Sequence, residues 1–252
     1  MERLDKILSS QGVGSRKEAG ILIRRGLVHV NGILATRPEA KTDPERDQIT
    51  IEGKPLRFQR HVYLMMNKPA GVVSASRDSR EKTVVDLVPP ALSRRDLFPA
   101  GRLDRDTTGL LILTDDGEFA HRMLSPKKHV YKLYEASVDG PVGAEEIEKF
   151  AAGVAMEDGT VCLPAGLTVV KQGTVWETLV EIREGKFHQV KKMFLAVGRR
   201  VLRLKRVRIG GLELDKILKE GECRELTKEE LAQVFQGENG HFWEKENSNG
   251  QI

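Results

Sequence analysis

Among all segments of the chain, Gly101-Arg-Leu-Asp104-Arg-Asp106-Thr-Thr-Gly109 concentrates the groups best suited to chemistry. Two carboxylates and two guanidinium groups fall within five residues on a Thr/Gly-rich turn, and a continuously apolar run, 110–113, follows at once. A polar loop anchored by a buried strand is a rigid place for a carboxylate that acts as nucleophile or base. The same residue types also serve as turn caps that hydrogen-bond their own backbone. Spacing leaves both roles open for Asp104 and Asp106, whereas Asp115-Asp116-Gly117 reads as the cap of the helix that follows it.

Other chemistries find little support. Gly12-Val-Gly14-Ser is half of a dinucleotide fingerprint, but it follows a helix and Lys17 stands where the third glycine belongs. Neither a phosphate-binding Walker loop nor a GxSxG elbow occurs, and the six histidines (His29, His61, His121, His129, His188, His241) form no paired motif. Cys162 and Cys223 lie far apart without a CxxC spacing, so no zinc ribbon or disulfide framework is expected, and a reducing compartment fits. No metal site is expected.

The elements that must position these groups can be read from periodicity and charge. The 252 residues suffice for a small domain and a medium one. Leu4, Ile7 and Leu8 mark a short amphipathic helix ending near Gly12 with Lys6 on its far side; Ser15 and Glu18 form a capping-box pair ahead of a second helix that Gly26 ends. Lys17 and Arg24 share that helix's outer face. Strand-like runs at 27–31 and 48–51 complete a small α/β module over 1–58. Residues 59–237 then intersperse strands (62–66, 110–113, 133–138, 176–182, 201–209) with helices (117–124, 143–152, 187–197, 227–235). That irregular order favours an α+β fold with a mixed, mainly antiparallel sheet flanked by helices over a doubly wound one. Residues 238–252 read as a polar, frayed tail whose Phe242 and Trp243 could dock elsewhere.

Lys and Arg number 41 against 37 Asp and Glu, a net charge of +4, and the excess is local. The stretch 186–208 carries nine Lys or Arg and no acid, a composition suited to phosphate contacts or to a solvated basic face. No basic-then-apolar leader and no apolar run near the roughly 18 residues of a membrane span occur, so a cytoplasmic protein without a membrane partner is expected.

Four ordered motifs carry a resemblance: Lys68-Pro-Ala-Gly71, Gly101-Arg-Leu-Asp104-Arg-Asp-Thr-Thr-Gly-Leu-Leu, Ser125-Pro-Lys-Lys-His-Val-Tyr-Lys-Leu-Tyr134 and Glu184-Gly-Lys-Phe-His-Gln-Val-Lys191-Lys-Met-Phe. Together they resemble the RsuA-type pseudouridine synthases, and the first module resembles the S4-like RNA-binding domain that precedes the catalytic domain in that family. The resemblance implies isomerisation of a uridine to pseudouridine without cofactor, on a nucleotide flipped out of its stack. It implies that Asp104 is the indispensable aspartate, ionised beside Lys191; Tyr134 stacks on the base, and Arg102 fills the vacated stack. Lys68 reads as a packing and turn element. On a helical wheel of 187–197, Phe187, Val190, Met193, Phe194 and Val197 form the apolar face and Lys191 its flank.

For holding RNA, the same reading names Arg3, Lys6, Ser15, Arg16, Lys17, Arg24 and Arg25 in the first module and Arg199, Arg200, Arg203 and Lys205 in the basic stretch. The expected partner is ribosomal RNA of the small subunit, naked or in an assembly intermediate, met by a monomer. Large-subunit RNA, or a non-catalytic RNA-binding or ribosome-assembly role, are the alternatives.

Overall fold

The computed structural model describes residues 1–94, 96–125, 128 and 130–236; the expected tail, 238–252, lies outside them. The chain forms two units, Met1–Val62 joined by the returning segment Pro89–Leu97, and Tyr63–Val88 joined by the residues from Phe98 onward.

The first unit runs β1 (Glu2–Arg3), α1 (Leu4–Ser10), α2 (Arg16–Arg24), β2 (Val28–Val30), β3 (Ile33–Leu34), β4 (Lys41–Thr42), β5 (Ile49–Ile51) and β6 (Lys54–Pro55). Ser15 caps α2 through the anticipated box, its side chain taking the Glu18 N–H while Glu18 accepts the Ser15 N–H. The apolar stripes of both helices meet β2 and β5 in one core of Leu4, Ile7, Leu8, Ala19, Ile23 and Val28. A four-stranded sheet orders β3-β2-β5-β6, and β1 pairs with β4.

The second unit continues with β7 (Tyr63–Lys68), β8 (Phe98–Ala100), β9 (Thr108–Thr114), α3 (Gly117–Leu124), β10 (Lys132–Val138), α4 (Ala144–Ala152), β11 (Gly166–Lys171) and β12 (Trp176–Ile182). It ends with α5 (Gln189–Ala196), β13 (Val201–Ile209), β14 (Leu212–Glu213), β15 (Cys223–Glu225) and α6 (Lys228–Gln233). Nine strands form one sheet along β11-β12-β10-β13-β9-β7-β15, with β14 on β13 and β8 on β9. Among the strands of the described residues only the β13–β9 pairing is parallel, so the sheet is mixed and mainly antiparallel. Leu110 to Leu113 are fully buried, as a continuously apolar strand covered on both faces requires. Each such side chain contributes roughly 1.5–3 kcal/mol of burial. Met65, Leu110, Ile112, Phe119, Met123 and Ile209 share that core.

Several local expectations change. Within the large sheet β8, β11, β14 and β15 were not foreseen; three of them have only two or three residues, and the Leu-Thr-Val-Val run of β11 has no clear alternation. The helix expected at 187–197 begins only at Gln189, because His188 adopts a left-handed conformation (φ 53°) that no continuing helix tolerates. The Gln189 side chain reinforces this turn by accepting the Lys186 N–H and donating to Glu184. Phe187 consequently leaves the apolar face: it is 70 % exposed and stacks on the His188 ring at 3.8 Å.

Candidate active site

The loop bearing Asp104 is held from three directions. Lys68, at the end of β7, is fully buried, and its Nζ donates to the carbonyl oxygens of Pro69 (3.0 Å), Arg105 (3.3 Å) and Thr107 (2.9 Å). Burial pulls its pKa down to about 8, against the opposing pull of Asp106 and Asp104. Ser74 both accepts the Leu103 N–H and donates to the Leu103 carbonyl. The Arg105 carbonyl also accepts the Gly71 N–H at 2.8 Å. At the loop's exit β9 runs against β13 so closely that a Cβ on Gly109 would sit 2.2 Å from the Arg206 carbonyl; with φ at 98°, only glycine fits.

On this frame the Asp104 carboxylate, 24 % exposed, meets Lys191 Nζ at 3.0 Å and His188 Nε2 at 3.5 Å. The same ammonium reaches Asp106 at 2.6 Å. Burial opposes the charge on Lys191, but hydrogen bonds to Asp106 and Asp104 outweigh it and hold its pKa above the ordinary lysine value; in turn Lys191 holds Asp106 below the usual carboxylate range. The Asp104 carboxylate thus faces the Lys191 ammonium and the His188 ring; its turn is closed by its carbonyl, which accepts the Thr107 N–H. Asp116, by contrast, caps α3 through the N–H groups of Glu118 and Phe119 and accepts the Tyr63 hydroxyl.

Asp104 opens into a cavity of about 780 Å³ also lined by Arg102, Lys132, Tyr134, His188 and Arg206. Tyr134 stands on β10, 7 % exposed, and its hydroxyl accepts a long 3.5 Å contact from Arg206. Arg102 is exposed at the cavity wall, with no ion pair to a described residue. The structure therefore brings the four motif residues to one place. Three others there, His188, Lys132 and Arg206, did not stand out in the sequence. The signal existed: Lys132 is two residues from Tyr134 and Arg206 two from Leu204, on the inward parity of their strands.

The residues named for holding RNA divide. Arg3 and Arg16 converge on Asp5, at 2.8 and 3.2 Å, Lys6 pairs with Glu2, and Ser15 is spent as a helix cap. Lys17, Arg24 and Arg25 are exposed, with no ion pair to a described residue. In the basic stretch, Arg199 is committed to Glu146 and to the Pro141 carbonyl, and the Arg200 N–H is taken by Asp139. Arg203 is exposed, and Lys205 lines a separate pocket with Asn67 and Leu133. Strand alternation turns both away from the Asp104 cavity, which takes Leu204 and Arg206 instead. The run that looks uniform in sequence is split by the pleat.

Comparison with known proteins identifies the family. Residues 62–196 match the family of RNA pseudouridylate synthases, and residues 2–47 match the S4 domain. An RNA pseudouridine synthase of Bacillus subtilis, itself uncharacterized, is 47 % identical over 91 % of this chain and 96 % of its own. The ribosomal small subunit pseudouridine synthase A of Escherichia coli is 42 % identical over 92 % and 99 %. A crystal structure of a pseudouridylate synthase superposes with a TM-score of 0.64 at 35 % identity, covering 93 % of this chain and all of the other. The chain belongs to the RNA pseudouridylate synthase family, as an isomerase of the RsuA type with an S4 domain ahead of its catalytic domain.

Proposed function

We propose that this synthase converts one uridine of small-subunit ribosomal RNA, with Asp104 as the catalytic carboxylate acting on an everted nucleotide. The observation that carries the reading is the Asp104–Lys191 pair, 3.0 Å apart, opening into the cavity that Tyr134 lines. A cation at that distance favours the ionised carboxylate, the form needed either to attack the ribose or to remove a ribose proton. A duplex uridine is unreachable in its stack, so it must be extruded at a cost of a few kcal/mol. Tyr134 then offers an aromatic face to the base, and Arg102, exposed at the wall, fills the space it leaves.

The choice of the small subunit is supported by the Escherichia coli relative's name and by the length over which the two chains align. Ribosomal RNA or an assembly intermediate is the partner, bound by a cytoplasmic monomer over two domains, 1–58 and 59–237. The free cations of the first unit, Lys17, Arg24 and Arg25, supply phosphate contacts. The test is carbodiimide and primer-extension mapping of both ribosomal RNAs, deproteinised and in assembly intermediates, after exposure to native protein or Asp104→Asn. One small-subunit stop with native protein alone is expected. Conversion by the variant at the native rate overturns the role of Asp104, and a large-subunit stop overturns the choice of RNA.

A further inference from the structure

The cavity contains a second cluster that Asp104 does not need. Lys132 and Tyr134, two apart on β10, share one face; across the ladders Ile182 stands beside Lys132 and Arg206 beside Tyr134. Lys132 is 8 % exposed and Arg206 4 %. Arg206 is fixed by its Nε bond to the Leu110 carbonyl (2.8 Å) and by its contact with the Tyr134 hydroxyl, yet its buried Nη2 has no partner. The Lys132 ammonium has no hydrogen bond or ion pair among the described residues. The carboxylate that acts on it, Glu184, is already engaged by Lys186 Nζ (2.6 Å), Gln189 Nε2 (2.7 Å) and the Leu163 N–H (2.9 Å). Two buried cations without a dedicated carboxylate cost folding free energy, so their presence points to negative charge arriving with a ligand.

We propose that Lys132, with the Arg206 guanidinium adding positive charge to the same cavity, is the electrostatic seat for the uracil anion that exists between glycosidic cleavage and reattachment, an inference that rests on the reading of Asp104 above. Whether the carboxylate attacks C1′ or removes a ribose proton, C1′–N1 breaks with its electron pair left on the base. The resulting charge spreads over the ring oxygens and C5, and that pair then forms C1′–C5. The proton shed by C5 balances the one gained by N1, so Lys132 transfers nothing. Its part is to donate hydrogen bonds to the charged oxygens. A compact ammonium with three rotatable donors can follow those oxygens while the ring turns, which a planar guanidinium cannot do as well. Arg206, bonded to the Leu110 carbonyl and the Tyr134 hydroxyl, positions Tyr134. Burial, with repulsion from Arg206, brings the Lys132 pKa down to about 8, so the group is still predominantly charged at neutral pH.

The test is the single-turnover rate of C1′–N1 scission, read as loss of the target nucleoside, in RNA carrying uridine or 5-fluorouridine; the fluorinated ring has no C5 proton to shed, so its C5-linked product keeps fluorine and takes up water at C6. Fluorine stabilises the departing anion and so makes the lysine less necessary. Lys132→Met should slow the uridine reaction by about 100-fold, the usual effect of losing one preset donor to developing negative charge. It should leave RNA affinity and its salt dependence unchanged and slow 5-fluorouridine by only about 10-fold, the smaller demand of a better leaving group. Lys132→Arg should restore part of the rate. Equal losses on both nucleosides, or lost affinity with an unchanged rate as for a phosphate contact, overturn the seat alone. Conversion by Asp104→Asn at the native rate removes the reading beneath it. If the methionine variant does not fold, the same ratio measured on Lys132→Gln decides.

Discussion

Asp5 and Asp104 are both carboxylates held by basic side chains, one in each unit, and their surroundings make them opposites. Asp5 accepts paired bonds from Arg3 and further contacts from Arg16, and its side chain is 7 % exposed. Asp104 is touched by one lysine, which it shares with Asp106, and by a histidine at 3.5 Å; it keeps 24 % exposure into a cavity. The lesson is that flanking charge does not distinguish a structural carboxylate from a reactive one. Oxygens consumed by bidentate arginines have nothing left to offer a substrate, whereas oxygens held by a point charge at one edge do.

The sharpest break in that comparison is exchange of each aspartate for asparagine. Asp104→Asn should cut uridine conversion by roughly four orders of magnitude or more, the scale of losing a reacting group, with an unchanged melting transition. Asp5→Asn should do the reverse, leaving the single-turnover rate intact and costing about 1–3 kcal/mol in denaturant unfolding. Next in size is Lys191→Met, which should lower the rate about 100- to 1,000-fold by removing the charge beside Asp104; Lys191→Arg should recover part of it. An unchanged rate in Lys191→Met would show that Asp104 needs no cation.

Titration separates the two regions more finely. Hydrogen bonding from Arg3, opposed by burial and reinforced by Arg16, holds the Asp5 carboxyl below its ordinary value of 3.8. Its stabilisation is therefore present above that value and is lost as pH falls through the lower folded one. The Lys132 pKa is also lowered, so its linkage runs the same way at higher pH, but here it is the charged form that the fold disfavours. Its folded pKa of about 8 lies under the ordinary 10.5, so between those values the unfolded chain holds a proton that the folded one has lost. Stability should rise with pH across that window by up to about 1.4 kcal/mol per pH unit, and the rise should shrink in Lys132→Met when melting is followed from pH 8 to pH 10. The smallest effect concerns the exposed cations. Replacing Arg24 and Arg25 by Ala should flatten the slope of log affinity against log salt by about 2; an unchanged slope would place the first unit outside the RNA interface.

Much of the scaffold of both units was legible because its signals are local. The run 110–113 announces a strand covered on both faces, Thr227 and Glu230 announce α6, and Ser15 and Glu18 announce α2. What failed also has a local explanation. Phe187 fits the helical period of Val190 and Phe194, and nothing in the pattern reveals that His188 adopts a positive φ. Arg199 reads as one more cation in a basic run until α4, some 50 residues earlier, brings Glu146 to it. Lys68, legible only as a turn residue, gains its grip on the Asp104 loop from carbonyls nearly 40 positions away.

Residue type and near-neighbour spacing alone determined most of the longer elements and the turn that carries Asp104, since periodicity, caps and turn chemistry act within a few residues. Tertiary structure alone decided which charges are spent and which are available. The pleat sends Arg203 and Lys205 away from the cavity and Arg206 into it, and folding brings His188 and Lys191 to Asp104 across more than 80 positions. Electrostatic pairing depends on distance and on loss of water, and neither exists until the chain has closed on itself.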